Sequence, residues 1–304
     1  MDFVLDYDTM NITFTNLQDT SNYTLEATVK NKKTPWKVWS IGDKEKKWEP
    51  IYTKSKWSVP LLKSNLQKAV RQMNIKEAKR SVLELALLDP IALLRRLPII
   101  AVEDVTLIQG TSVIIWMMMV NRGYLYKKEM KFILNYVVAL CKVEQVFVME
   151  ELKETDIMMN NDEVKALAIR IAYGGMPGDM EMLKSAVQVF NRDSIVDVME
   201  NNEEVPDAVQ INSPILMSAI DFHPTPWIVK YIARKSKQTE EMVKLLIWNG
   251  ESAYNNRKPE TIRMSAEVKD SDGWWLILAH LIVARKLVIS NSEKIVKQFK
   301  ADFH

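Results

Sequence analysis

The stretch SNLQKAVRQMNIKEAKRSVLELALLDPIALLRRLPIIAVEDV, residues 64–105, decides the fold class. Its apolar residues recur every three or four positions, which lines them up along one side of a helix. Leu62, Leu66, Ala69, Val70 and Met73 mark one such face. Asn74 can cap the next helix, where Ala78, Val82, Leu85 and Ala86 repeat the period. Asp89 and Pro90 supply an N-cap and a first-position proline for a third helix, and Pro98 is expected to kink or interrupt it.

Working downstream, the same spacing predicts helices at about 111–121, 127–152, 161–173, 178–190, 213–220, 226–235, 239–249, 273–286 and 291–300. The best marked is 226–235, with Thr225 as N-cap and Pro226 at the first helical position. GGMPGD (174–179), NNEEVPD (201–207), FHPTP (222–226) and NNRKP (255–259) read as loops, with Gly174 closing one helix and Asp179 capping the next. No sustained heptad, fixed-period repeat or low-complexity tract is present.

Working upstream, the period changes to two. Phe3, Leu5 and Tyr7, then Ile12 and Phe14, then Tyr23, Leu25 and Ala27 alternate with polar residues, which predicts two or three short antiparallel strands. WKVWSI and WEPIYTKSKWSV extend the pattern on either side of the turn-like Gly42-Asp43. The expected fold is therefore mainly α: an irregular multi-helix bundle with a small N-terminal antiparallel β element. The expected divisions are 1–62, 63–200 and 207–304, the last two forming either separate lobes or one domain.

Composition narrows the function classes. With 47% apolar and 26% charged residues, the chain has a globular profile. VIIWMMMV (113–120) and WWLILAHLIVA (274–284) fall short of the roughly 20 residues that span a bilayer. They are expected as buried helices, and MDFVLDYDTM has no signal-peptide pattern. Cys141, the lone cysteine, lies in an apolar run and reads as a buried thiol. These features suggest an intracellular, reducing compartment (cytoplasm or nucleus) and no membrane partner. GxSxG, CxxC, HExxH and GxGxxG are all missing, so no catalytic set and no cofactor are expected.

The net charge of +2 hides an uneven distribution. Residues 1–29 carry −5, whereas 30–72 hold twelve Lys/Arg against three acids, a net +9. Within that block Trp36, Trp39, Trp48 and Trp57 lie among Lys30, Lys32, Lys33, Lys37, Lys46, Lys47, Lys54 and Lys56. Ammonium groups neutralise phosphates, and indoles offer faces for unpaired bases, so the segment suits single-stranded nucleic acid. The same residues could instead anchor a small sheet and protect its edges. Lys68 and Arg71 on the following helix extend the candidate basic surface.

A resemblance enters at 64–105. Leu66, Gln67, Lys68, Ala69 and Arg71, then Arg95, Arg96 and Leu97, then Ile99, Ala101, Glu103, Asp104, Val105 and Leu107 resemble the helical collar of clamp-loader-type AAA+ replication-associated ATPases, the MgsA/RarA kind. The resemblance implies an oligomerisation or DNA-transaction scaffold. It does not imply ATP hydrolysis, because no GxxxxGK[ST] loop exists and no ATPase module precedes the stretch. SNLQKAVRQ, RRLPIIAVEDV, AYGGMPGDMEML and AIDFHPTPW also resemble pieces of proteins of large DNA viruses, which implies no particular activity.

The leading expectation is thus a non-enzymatic nucleic-acid-associated scaffold or replication accessory protein, able to associate with itself or other proteins. Two alternatives stay open. Asp179, Asp221 and His223, with Glu103, Asp104 and Glu181, could supply a hard-ligand metal site for phosphodiester chemistry. A structural or virion-associated interaction protein is the other. Arg95 and Arg96 cannot both face one way from an apolar helix, so at least one is expected to pair with Glu103, Asp104 or another acid.

Overall fold

The computed structural model describes residues 2–29, 35–53, 55–120, 122–144, 146, 161–190, 195–210, 215–219 and 226–289. The chain is mainly helical with a small, mostly antiparallel N-terminal sheet. It divides into two compact units. One holds the described residues within Met1–Thr53 and Val82–Gln210, the other those within Lys54–Ser81 and Ile211–His304. These units do not coincide with 1–62, 63–200 and 207–304, because each gathers two separated stretches of sequence.

In the first unit, β1 (Asp2–Asp6), β2 (Asn11–Thr15), β3 (Thr24–Val29) and β4 (Trp36–Ile41) form one sheet in the order β2-β1-β4-β3. β1–β2 and β3–β4 are antiparallel, but β1 and β4 run parallel, with Phe3 opposite Val38 and Leu5 opposite Ser40. Two-residue alternation foretells strands and faces but is silent on strand order, so this parallel pair departs from the expected antiparallel element. WEPIYTKSKWSV does not extend that sheet. Its β5 (Ile51–Tyr52) pairs instead with β6 (Ala208–Val209).

The second unit opens with α1 (Val59–Arg71), where the Ser58 hydroxyl caps Leu61 N. α2 (Ile75–Leu88) follows, and the division between units falls within it. α3 (Pro90–Asp104), back in the first unit, starts as foreseen, the Asp89 carboxylate accepting from Ala92 N at 2.9 Å. Of the two outcomes expected at Pro98, a kink or an interruption, the interruption does not occur, and α3 runs on through that buried proline. A proline removes one intrahelical hydrogen bond, and here the apolar surroundings of Leu94, Leu97 and Ile99 hold the helix together nonetheless.

α4 (Thr111–Val120) is apolar on every side, and Thr111 through Met119 are buried. Such a helix belongs in a core. It packs on the sheet, where the Trp116 indole N–H is shared between the carbonyls of Phe3 at 3.2 Å and Trp39 at 3.0 Å. α5 (Lys127–Lys142) ends ten residues short of the expected 152. α6 (Asp162–Tyr173) and α7 (Pro177–Phe190) complete this unit. Gly174 does end α6 with φ +90°, whereas α7 begins at Pro177, so Asp179 lies in its first turn rather than capping it.

In the second unit α8 (Pro226–Ser236), α9 (Glu240–Ile247), α10 (Pro259–Lys269) and α11 (Trp274–Ile289) surround a core that includes Trp227, Ile232, Val243, Trp274 and Leu281. α10 was not foreseen. Its sequence, PETIRMSAEVK, buries only Ser265 fully and so carries little apolar periodicity. A single 3₁₀ turn (Met217–Ala219) stands within the span expected as a helix at 213–220. The helix expected at 291–300 lies outside the described residues. Among the described residues no helix is long and apolar enough to cross a membrane. Cys141 is buried.

Candidate nucleic-acid interface

The basic, tryptophan-rich segment does not present one uniform face. β4 alternates, so Lys37 and Trp39 share a side of the sheet, with the ammonium 6.0 Å from the indole ring. Trp39 is buried and its N–H donates to Asp2 Oδ1 at 2.7 Å. Trp48 is buried too, its N–H donating to the Pro206 carbonyl at 3.0 Å. Both indoles therefore act as anchors. Trp36 is half-buried at the start of β4, and Lys37, Lys46 and Lys47 are exposed. Lys56 and the half-buried Trp57 belong to the second unit. Lys30, Lys32, Lys33 and Lys54 lie outside the described residues.

Lys68 and Arg71 are buried within the second unit. Both donate to the Ser252 carbonyl, Lys68 at 2.8 Å, while Arg257 Nη1 donates to Val70 O at 2.7 Å. A basic face read from helical spacing has here turned inward, where backbone carbonyls satisfy the charges.

Close to Lys46 and Lys47 the fold assembles groups that the sequence reading passed over. Lys127 N donates to Lys46 O at 3.0 Å and Trp48 N to Leu125 O at 2.9 Å, which lays residues 46–48 along 125–127. Lys47 Nζ sits 3.9 Å above the Tyr124 ring, a close cation–π contact. Tyr126 meets Tyr124 edge-on at 5.6 Å. Lys127 Nζ reaches Asp207 Oδ1 at 2.6 Å, and Ile51 N donates to Asp207 O at 2.9 Å. Tyr52, 51% exposed, is the second residue of β5. The result is a ledge of lysines and tyrosines. Its signal in the sequence is the run RGYLYKK (122–128), which helical spacing had reduced to the start of α5.

Beneath the ledge lies a buried charged cluster. Glu129 closes the first turn of α5 by accepting from Tyr126 N at 2.9 Å. It also accepts from Tyr7 Oη at 2.6 Å and from Arg122 Nη2. Arg122 stacks 4.7 Å from the Tyr126 ring and lies 3.8 Å from Glu26, which Lys44 and Ser40 also hold. Burial pushes the Glu129 carboxyl above its ordinary range, against the pull of Arg122, the Tyr7 hydroxyl and the Tyr126 amide. Burial likewise raises the Tyr7 hydroxyl. The cluster fixes the tyrosines of the ledge in place.

The metal alternative has little geometry to draw on. Asp221 and His223 lie outside the described residues. Asp179 faces Arg96 at 3.8 Å, and Arg96 also reaches Glu103 at 3.6 Å, which is the ion pair expected for one of the two adjacent arginines. Arg95 is exposed over the Tyr173 ring. Among the described residues, no three His, Cys, Asp or Glu side chains are placed to hold a metal ion together. No protein-family model, curated protein or solved structure matches the chain.

Proposed function

We propose that this protein is a non-enzymatic accessory or scaffold protein that binds single-stranded nucleic acid through the lysine–tyrosine ledge of its first unit. The observation that carries the reading is the exposure of Lys46 and Lys47, with the Lys47 ammonium 3.9 Å over the Tyr124 ring. Ammonium groups on a fixed aromatic shelf offer counterion release and stacking together, with no demand on base identity. Arginine forks aimed at guanine edges are not part of the ledge, in keeping with sequence-tolerant binding. The likeness of residues 64–105 to clamp-loader collars supports a place in DNA transactions.

The test is fluorescence anisotropy of labelled single-stranded oligonucleotides across a salt series. The unmodified protein should bind at low salt and weaken steeply as salt rises. Lys46→Glu with Lys47→Glu should cut affinity at least tenfold and flatten the salt slope by about one to two, since each lost phosphate contact removes about 0.7 on single strands. Both side chains are exposed, so the fold should tolerate the change. An unmodified protein that stays free at about 50 mM salt, or a double variant that binds as well as the parent, ends the proposal.

A second reading rests on α11. Trp274, Ile277, Leu281 and Ala284 pack into the core of the second unit. Trp275, Leu276, Ile282 and Val283 on the other side are apolar and exposed, Trp275 by 70%. A helix apolar all round is normally covered on all sides. Trp275, Ala279 and Ile282, with Leu276 and Val283 seven apart, form a stripe that a second copy could meet in antiparallel register. This would make the protein a self-associating structural component. Light scattering should then give a dimer that Trp275→Asp with Ile282→Asp converts to monomer, whereas a monomeric parent excludes it.

A further inference from the structure

The turn between β1 and β2, the starts of α4, α5 and α6, and residues 199–201 line a half-open cavity of about 480 Å³ within the first unit. That volume matches a small-molecule site. One part of its wall is apolar, formed by Met10, Ile12, Val113, Phe132 and Met199. Phe132 comes so close because residue 110 has no side chain. A Cβ there would lie 2.7 Å from Phe132 Cζ, and the φ of +89° suits glycine. Met10 holds a φ of +53° at the tip of the turn, uncommon for a side chain of its size.

The rest of the wall is rich in carboxylates. Asp8, Glu45, Asp162, Glu163 and Glu200 line the space against Lys128 and Lys131. Three of the acids are matched: Asp8 by Lys128 at 3.3 Å, Asp162 by Lys165 at 2.8 Å and Glu200 by Lys142 at 2.7 Å. Glu45 and Glu163 have no cationic partner among the described residues, and Lys131 no anionic one. The surplus is therefore negative but modest. It suits a ligand with one or two positive charges better than a polycation.

Glu163 stands at the N-terminus of α4, accepting from Gly110 N at 2.8 Å, Ser112 Oγ at 3.0 Å and Ser112 N. Burial pushes its carboxyl up to about 7, against those three donors and with some help from Asp162. A cation arriving in the cavity would favour the ionised form. The acids do not converge as metal ligands do among the described residues, so they fit charge spread along a chain rather than a bare divalent ion.

We propose that this cavity binds a small aliphatic amine, its alkyl body against Phe132, Met10 and Met199 and its ammonium ends against Glu45 and Glu163. The site is distinct from the nucleic-acid ledge and does not depend on it.

Titration calorimetry of the full chain with putrescine tests it, with 1,4-butanediol, inorganic phosphate and Mg²⁺ as comparison probes. Putrescine should bind and the diol of equal length should not. Affinity should rise about tenfold from pH 6 to pH 8, as the Glu163 proton ceases to compete, while the diamine stays charged throughout. Buffers of different ionisation heat should report a proton released at pH 6 and none at pH 8. Glu163→Gln should abolish both the proton release and most of the affinity. Should that variant unfold with the loss of its α4 contacts, Glu45→Gln with Glu200→Gln changes exposed side chains and should weaken binding about fivefold, of the order expected for two partly screened charges. Equal binding of diol and diamine, preference for phosphate, displacement of putrescine by equimolar Mg²⁺, or indifference to the Glu45/Glu200 pair would each overturn the assignment.

Discussion

Replacing Trp116 with alanine should lower the stability of the first unit by about 4 kcal/mol, the middle of the range for deleting a fully buried aromatic side chain. Trp116 is completely buried at the junction of α4 with the sheet. Its ring meets Tyr7 edge-on at 5.9 Å, and its N–H serves the carbonyls of Phe3 and Trp39, on the parallel strands β1 and β4. Alanine would open a large cavity and deprive both carbonyls of a donor. Trp116→Phe separates the two effects. It fills most of the space and should lose about 0.5–1.5 kcal/mol through the missing hydrogen bond. Urea unfolding followed by far-UV circular dichroism measures both. A loss under about 1 kcal/mol in the alanine variant would mean that Trp116 does not hold α4 to the sheet.

Arg122→Met should cost about 3–5 kcal/mol, because removing one partner strands a buried charge. Glu129 has a fully inaccessible side chain, and Arg122 is only 14% exposed. With methionine at 122, Glu129 would keep the Tyr7 hydroxyl and the Tyr126 amide but lose its counter-charge. Its carboxyl, already raised by burial, would rise further. In the unfolded chain the same group titrates near 4.3. Between that value and the raised one the folded variant binds a proton that the unfolded chain does not, so its stability falls as pH rises. The loss should therefore be larger at pH 8 than at pH 5. Equal losses at the two pH values would show that Glu129 does not depend on the guanidinium. Adding Glu129→Gln should recover part of the stability at pH 8, since a neutral amide needs no counter-charge.

Much of the helical architecture was legible in local pattern. Asp89-Pro90 marked the start of α3, Gly174 the end of α6, and the apolar run 113–120 announced the buried α4. These signals are intrinsic to a few neighbouring residues. α10 escaped because it buries only Ser265 fully and so shows little apolar periodicity, and α3 is not interrupted at Pro98 because the surrounding core sustains it despite the missing donor. The parallel β1–β4 pair and the two discontinuous units depend on which distant segments meet, which periodicity does not encode. The ledge was half visible. Lys46 and Lys47 stood out by charge, but Tyr124 and Tyr126 gained meaning through a cluster that joins Tyr7, Glu26, Arg122 and Glu129 across the chain. Trp39 and Trp48 looked like base platforms and are spent on Asp2 and Pro206.

The placement of Trp116 bears on how this protein is made. All four strands leave the ribosome well before α4, so a nascent chain carries the sheet with its inner side, Phe3, Leu5 and Val38, uncovered until Trp116 has emerged. Over that interval the growing polypeptide offers a sticky surface to chaperones and to other nascent chains. Slow translation between residues 41 and 111 should therefore raise aggregation during synthesis, while the finished protein refolded from denaturant would escape that hazard.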